Sequence, residues 1–143
     1  MSTATLNEVE TENAPPLLPA TLYFDEGLQP FSNSLQFDLT CVDDAPPFLR
    51  MDCSSKDLAY ILVDPFAVCE NYRPDVPDAD LKSIGLKDGE PPLVLAIVNI
   101  RRGVENATLN LAGPLLIHPR TGRAKQTVLL NATTYSCRHR LGS

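Results

Sequence analysis

Two histidines, four cysteines and eighteen carboxylates are the groups in this 143-residue chain whose chemistry could be catalytic or metal-binding. Their spacing argues against both roles. Cys41, Cys53, Cys69 and Cys137 are widely separated, with no C-x-x-C pair, and only His118 and His139 could join them around zinc. Neither histidine stands at ligand spacing from a cysteine. The cysteines therefore read as buried, reduced thiols. Cys53 beside Asp52 could serve as a nucleophile, but nothing places a base next to it. His118 ends an apolar stretch before Pro119 and reads as a structural histidine; His139, in "RHR", reads as solvated. The chain has no G-x-S-x-G, no phosphate-binding glycine loop and no H-E-x-x-H. The sequons at Asn106 and Asn131 are frequent chance matches. The expectation is a protein that is not an enzyme and needs no cofactor or metal.

Charge is distributed unevenly. Residues 1–71 hold twelve acidic and two basic residues, a local balance of −10, and residues 72–143 hold six and ten, a balance of +4, within a net −6. Such a chain suits a basic partner on one side and is poorly suited to direct nucleic-acid binding, which needs clustered Lys and Arg. No apolar run is long enough to span a bilayer. The N-terminus lacks the basic and apolar regions of a secretory signal, so the expected compartment is the cytoplasm.

The elements that must position these groups are short. "TLYF" from Thr21, "LQFDLTCV" (35–42), "FLRMDC" (48–53) and "LAYILV" (58–63) read as strands, the second by its period-two alternation. Asp64-Pro65 ends the fourth, because proline cannot donate to a ladder. Residues 77–86 form the one helical pattern, with aspartates at its start and Gly85 at its end. "LVLAIVNIR" (93–101) reads as a central buried strand. "ATLNLA", "PLLIH", "KQTVLLNA" (125–132) and "TYSCR" (134–138) complete the series, with a turn at Thr121-Gly122. In "TLNLAGPLLIHP", Thr108 and Asn110 alternate with Leu109 and Leu111, and Gly113-Pro114 marks a bend beside Asn110. Its amide is expected to satisfy either the bend or a partner. The fold class is mainly β: a small antiparallel, β-barrel-like domain with one or two short helices over 20–141, preceded by a disordered acidic tail, 1–19.

A set of ordered segments carries a resemblance. They are "YFDEGLQPF" (23–31), "PPFLRMDCSSKDLAYILVDPF" (46–66), "NYRPDVPDADLKSIGLKDGE" (71–90), "LVLAIVNI" (93–100), "ATLNLAGPLLIHPRTGRAKQTVLL" (107–130) and "YSCRH" (135–139). Together they resemble the flagellar assembly factors of the FliW type. Thr108, Asn110, Pro114 and Ile117 match that family's T-A-N-L-x-A-P-I-x-I-N, with His118 in place of its last Asn. Gln126 matches its G-K-Q, with Ala124 for the glycine, and Tyr135 and Arg138 match its terminal Y-x-x-R. Glu26 to Phe31 stand where the family has E-G-x-P-G-F, and Met51, Asp52 and Cys53 where it has L-Q-S. The resemblance implies a compact β-barrel-like, cytosolic, non-enzymatic protein. It would bind a CsrA-type RNA-binding translational regulator, release it from flagellin mRNA, and bind flagellin as a competing partner. The alternatives are a flagellin-binding chaperone without regulator contact, or a small β-barrel ligand-binding module or enzyme. Candidate partner-binding residues are Asp52, Asp64, Arg101, Thr108, Asn110, Gln126 and Tyr135. No direct contact with nucleic acid or membrane is expected.

Overall fold

The computed structural model describes residues 18–28, 31, 33–42 and 47–141. The expected acidic tail lies almost wholly outside them, as do Gln29, Pro30 and most of the Asp43–Pro47 turn.

Alternating apolar residues build the first four strands: β1 (Thr21–Phe24), β2 (Leu35–Cys41), β3 (Leu49–Cys53) and β4 (Ala59–Val63). They form an antiparallel meander in sequence order. Leu22, Phe24, Phe37, Met51 and Leu62 point inward and are fully buried, with Phe24 and Phe37 meeting edge to face. The next strand, β5 (Leu93–Asn99), pairs with β4. It is apolar from Leu93 to Val98, with Asn99 exposed at its end. Leu95 joins the first core, and Ala96 and Val98 join a second around Tyr72, Leu109 and Leu111.

The far edge of β5 is divided. Its C-terminal end pairs with β6 (Thr108–Leu109) and its N-terminal half with β7 (Leu115–Ile117). β8 (Ala124–Gln126) pairs with β7, and β9 (His139–Arg140) pairs with β6. This gives a nine-stranded antiparallel sheet. It curls until Tyr23 of β1 meets Arg123 in an isolated parallel bridge, and the Tyr23 amide donates to the Gly122 carbonyl at 2.9 Å. Among the described residues no continuous ladder completes the circuit, so the sheet is barrel-like rather than a closed barrel.

Two short helices accompany the sheet. α1 (Pro65–Val68) follows the expected stop after β4; Asp64 caps it by accepting from the Phe66 amide at 2.9 Å. α2 (Asp78–Ser83) is shorter than the expected 77–86, and Gly85 ends the segment at φ 90°. Ile84 and Leu86 bury against Leu116 of β7.

Four expectations need correction. The strand predicted over 125–132 stops at Gln126. Beyond it the Thr127 amide bonds the Pro114 carbonyl, and Pro114 has no N–H to return. The closing strand predicted over 134–138 is instead a 3₁₀ turn and coil, and β9 follows it. None of the cysteines is buried: Cys41 and Cys137 are exposed, because β2 runs past the core and Cys137 lies in coil. His139 faces inward beside Leu109, and its Nε2 is buried without a partner among the described residues.

Candidate functional site

Asn110 leaves the edge of β5 as the chain bends away. Its amide still donates to the Ile97 carbonyl at 3.0 Å. The side chain turns back onto its own backbone: Oδ1 accepts from the Ala112 amide at 3.1 Å and from the Gly113 amide at 2.9 Å. This Asx-type arrangement satisfies two donors that leave the ladder. Gln126 completes the bend, donating from Nε2 to the Gly113 carbonyl at 3.1 Å. A Cβ on Gly113 would sit 3.2 Å from Asn110 Nδ2 and 3.4 Å from the Thr127 carbonyl, so the position is tight for anything larger. Both amides therefore hold the bend.

The bend forms one wall of an open groove of about 550 Å³. Glu26, Gly27 and Phe31 of the first turn face it from across the seam, and Val128, Ala132 and Cys137 extend it. Segments that lie far apart in the chain, three of those quoted for the resemblance among them, thus converge on one surface. The charges here are compensated. Lys125 Nζ lies 2.9 Å from Asp80 and 3.4 Å from Glu26, and the Thr127 hydroxyl donates to Asp80. Burial acts to raise the Asp80 carboxyl, but hydrogen bonds from Thr127 and Lys125 outweigh it and hold it below the ordinary carboxylate range. The hydrogen bond to Asp80 raises Lys125 in turn. Val128 projects into solvent at 74% exposure. Apolar projections and neutralised charge suit a protein segment better than a reacting substrate.

The candidate residues do not form one cluster. Asn110 and Gln126 line the groove. Arg101 and Thr108 line a second concavity with Asn99, Arg102, Asn106, Arg138 and Arg140. Alternation does hold for Thr108 and Asn110: both are half-buried while Leu109 and Leu111 are buried. Yet the bend sends the two to different concavities. Tyr135 accepts from the Arg73 amide at 2.7 Å and packs edge-on against Tyr72, which makes it a post between segments. Asp64 is a helix cap, and Asp52 lies in an exposed ion pair with Arg50 at 2.9 Å. His118, as expected, is a structural group: it is buried, and its Nδ1 accepts from the Arg120 and Thr121 amides.

Several anchoring residues escape sequence reasoning. Tyr72 is completely buried and donates to the Leu111 carbonyl at 2.6 Å; burial pushes its phenol far up. Asn131 accepts from the Asp75 amide and donates to the Arg73 carbonyl, bracing the segment before α2. Asp80 carries the only faint signal, an acid in a first helical turn, but that signal points to the helix dipole rather than to Lys125. Among the described residues no cluster of His, Cys, Asp and Glu could hold a metal ion, and no helix is long and apolar enough to cross a membrane.

The chain is similar to known proteins over most of its length. The family model described as FliW protein matches residues 2–141. The flagellar assembly factor FliW of Moorella thermoacetica is 33% identical over 122 residues, covering 84% of this chain and 77% of that protein. That of Bacillus velezensis is 30% identical over 120 residues, covering 83% of each. A crystal structure of the flagellar assembly factor FliW superposes with a TM-score of 0.77 at 25% identity, over 87% of this chain and 86% of the other. With the model spanning nearly the whole sequence and the solved fold matching over the same extent, this chain belongs to the FliW family of flagellar assembly factors.

Proposed function

We propose that this protein works without catalysis, in the cytoplasm. It binds a CsrA-type RNA-binding regulator and relieves that regulator's repression of flagellin mRNA, with flagellin as the competing partner. The observation that carries the reading is the outward face of the meander. Asp38 of β2 and Asp52 of β3 stand directly opposite each other in register. Like charges at a cross-strand pair are destabilising. Arg50 offsets only part of that charge. An RNA-binding regulator must present a basic surface to phosphate. A protein that docks an acidic face beside that surface adds a repulsive potential against RNA and speeds its own association with the basic partner.

The groove at the Asn110 bend supports the flagellin side of the reading, because its exposed Val128 and neighbouring Leu130 offer apolar anchors to a peptide segment. The test is a gel shift of flagellin leader RNA bound to the purified regulator, titrated with this protein and then with flagellin. The expected result is release of RNA at stoichiometric protein and its rebinding when flagellin is added. By linkage, RNA must weaken this protein's binding to the regulator by the same factor. RNA retention unchanged at saturating protein would sink the regulator reading. Co-purification with flagellin alone would then select the chaperone alternative.

A further inference from the structure

The second concavity differs in kind from the groove. It encloses about 460 Å³ at the far end of the sheet, where β5, β6 and β9 lie side by side. Register places Asn99, Thr108 and Arg140 in one cross-strand row, and Val98, Leu109 and His139 in the next. Neighbours in register share a face, so the second row enters the core and the first forms the floor of the concavity. Arg101, Arg102 and Arg138 stand around that floor.

The turn that carries two of these arginines is held from both sides. Asn99 Oδ1 accepts from the Arg101 amide at 2.9 Å, and Asn106 Nδ2 donates to the Arg102 carbonyl at 3.0 Å. Of the eight other cations among the described residues, four are neutralised and four, Lys56, Arg73, Lys82 and Lys87, are in no ion pair. Arg50, Arg120, Arg123 and Lys125 each hold a carboxylate within 4.0 Å. Among the described residues no carboxylate pairs with Arg101, Arg102, Arg138 or Arg140. The nearest acid in sequence, Glu105, folds over Gly103 instead, 2.9 Å from where a Cβ on that glycine would lie. Gathering like charges without counter-charges costs stability, and the guanidinium forks match planar carboxylates.

We propose that this concavity is a docking site for an acidic peptide segment of a protein partner, recognised by Arg101, Arg102, Arg138 and Arg140. Three observations select a peptide. These four arginines share one concavity on a chain of net charge −6, a compact cluster rather than an extended track for a phosphate backbone. Its wall includes β9, which pairs only with β6 among the described residues, so a neighbouring edge remains for main-chain hydrogen bonds. The floor carries an amide and a hydroxyl, Asn99 and Thr108, which suit main-chain groups. The inference does not rest on regulator binding, since the site has the opposite sign to the Asp38–Asp52 face.

The test is fluorescence anisotropy on the full chain. The probes are a labelled octapeptide alternating Glu and Ser, its Gln counterpart, and a labelled single-stranded oligouridine, with inorganic phosphate as competitor. The expected result is salt-sensitive binding of the Glu peptide only, weakened by roughly tenfold in R101Q/R102Q through loss of charge-assisted hydrogen bonds, and unchanged in R50Q. Melting by circular dichroism checks that the double variant is folded, and R138Q provides a second variant outside the turn. Equal affinity for the Glu and Gln peptides, or unchanged binding in both arginine variants, would overturn the proposal. So would tighter binding of oligouridine, or displacement by phosphate at the peptide's own concentration.

Discussion

The two concavities lie on one sheet and use the same kinds of residue to different ends. At the Asn110 bend, every polar group that the structure brings in is already engaged. Asn110 and Gln126 hold Gly113, and Lys125 is held by Asp80 and Glu26. At the far end, the asparagines also hold backbone, but the guanidiniums they position carry no counter-charge among the described residues. The difference teaches that polar density alone does not mark a binding surface. What matters is whether the hydrogen-bonding capacity has been used up inside the fold. Substitutions on the bend side should register as stability, and substitutions on the arginine side as binding.

The strongest way to break this comparison is at Gly122, the backbone contact that seats β1 beside the bend. Its φ is 80°, and a Cβ there would lie 2.1 Å from the Thr21 carbonyl oxygen. Gly122→Ala should destabilise by about 3–5 kcal/mol, measured by urea unfolding, from left-handed strain together with overpacking. A smaller step is Asp80→Ala, which strands the buried Thr127 hydroxyl, leaves Lys125 only its longer contact with Glu26, and should cost about 2–3 kcal/mol at neutral pH. Because Asp80 is held below its ordinary value, its contribution is complete above the unfolded carboxyl pKa of about 3.9. It is lost as pH falls through the folded value, so the gap between wild type and variant should close only in acid. A gap that persists at the lowest pH would mean packing rather than charge.

Asn110→Ala should cost about 1–2 kcal/mol in the same assay, because two amides lose their acceptor at a half-buried bend. A variant with wild-type stability but lost partner binding would move Asn110 to the interface and blur the contrast. The smallest expected effect is at Arg101→Gln. It should change stability by less than about 0.5 kcal/mol, as an exposed position does, and the sign should be stabilising if the four guanidiniums repel one another. A larger loss would show that the cluster is structural after all.

How much of this was legible beforehand depends on whether the signal was local. Alternation in "LQFDLTCV" revealed β2, and the unbroken run in "LVLAIVNIR" revealed a strand covered on both faces. Both patterns record burial residue by residue. "KQTVLLNA" misled because apolar content does not say whether a neighbouring strand can reciprocate. At Thr127 the neighbour is Pro114, and the ladder ends there. The bend-satisfying role of Asn110 could be anticipated from Gly113-Pro114 beside it. The pairing of Asp80 with Lys125, the clamp by Asn131 and the seat of Tyr72 join residues from distant segments, and no spacing rule reports them. Arg101 stood out at a strand end, but its grouping with Arg138 and Arg140 follows only from the β5–β6–β9 register.

The seam at Gly122 also sets a schedule. β1 is synthesised well before its seat; Lys125 and Glu26, which bridge the same seam, are 99 residues apart. At synthesis rates of about 5–20 residues per second, Leu22 and Phe24 wait roughly 5–20 s before the strand they lean on exists. During that interval the nascent meander has an open edge and an uncovered aromatic pair. The finished surface, with both of its concavities, therefore comes into being only after β9 has been synthesised.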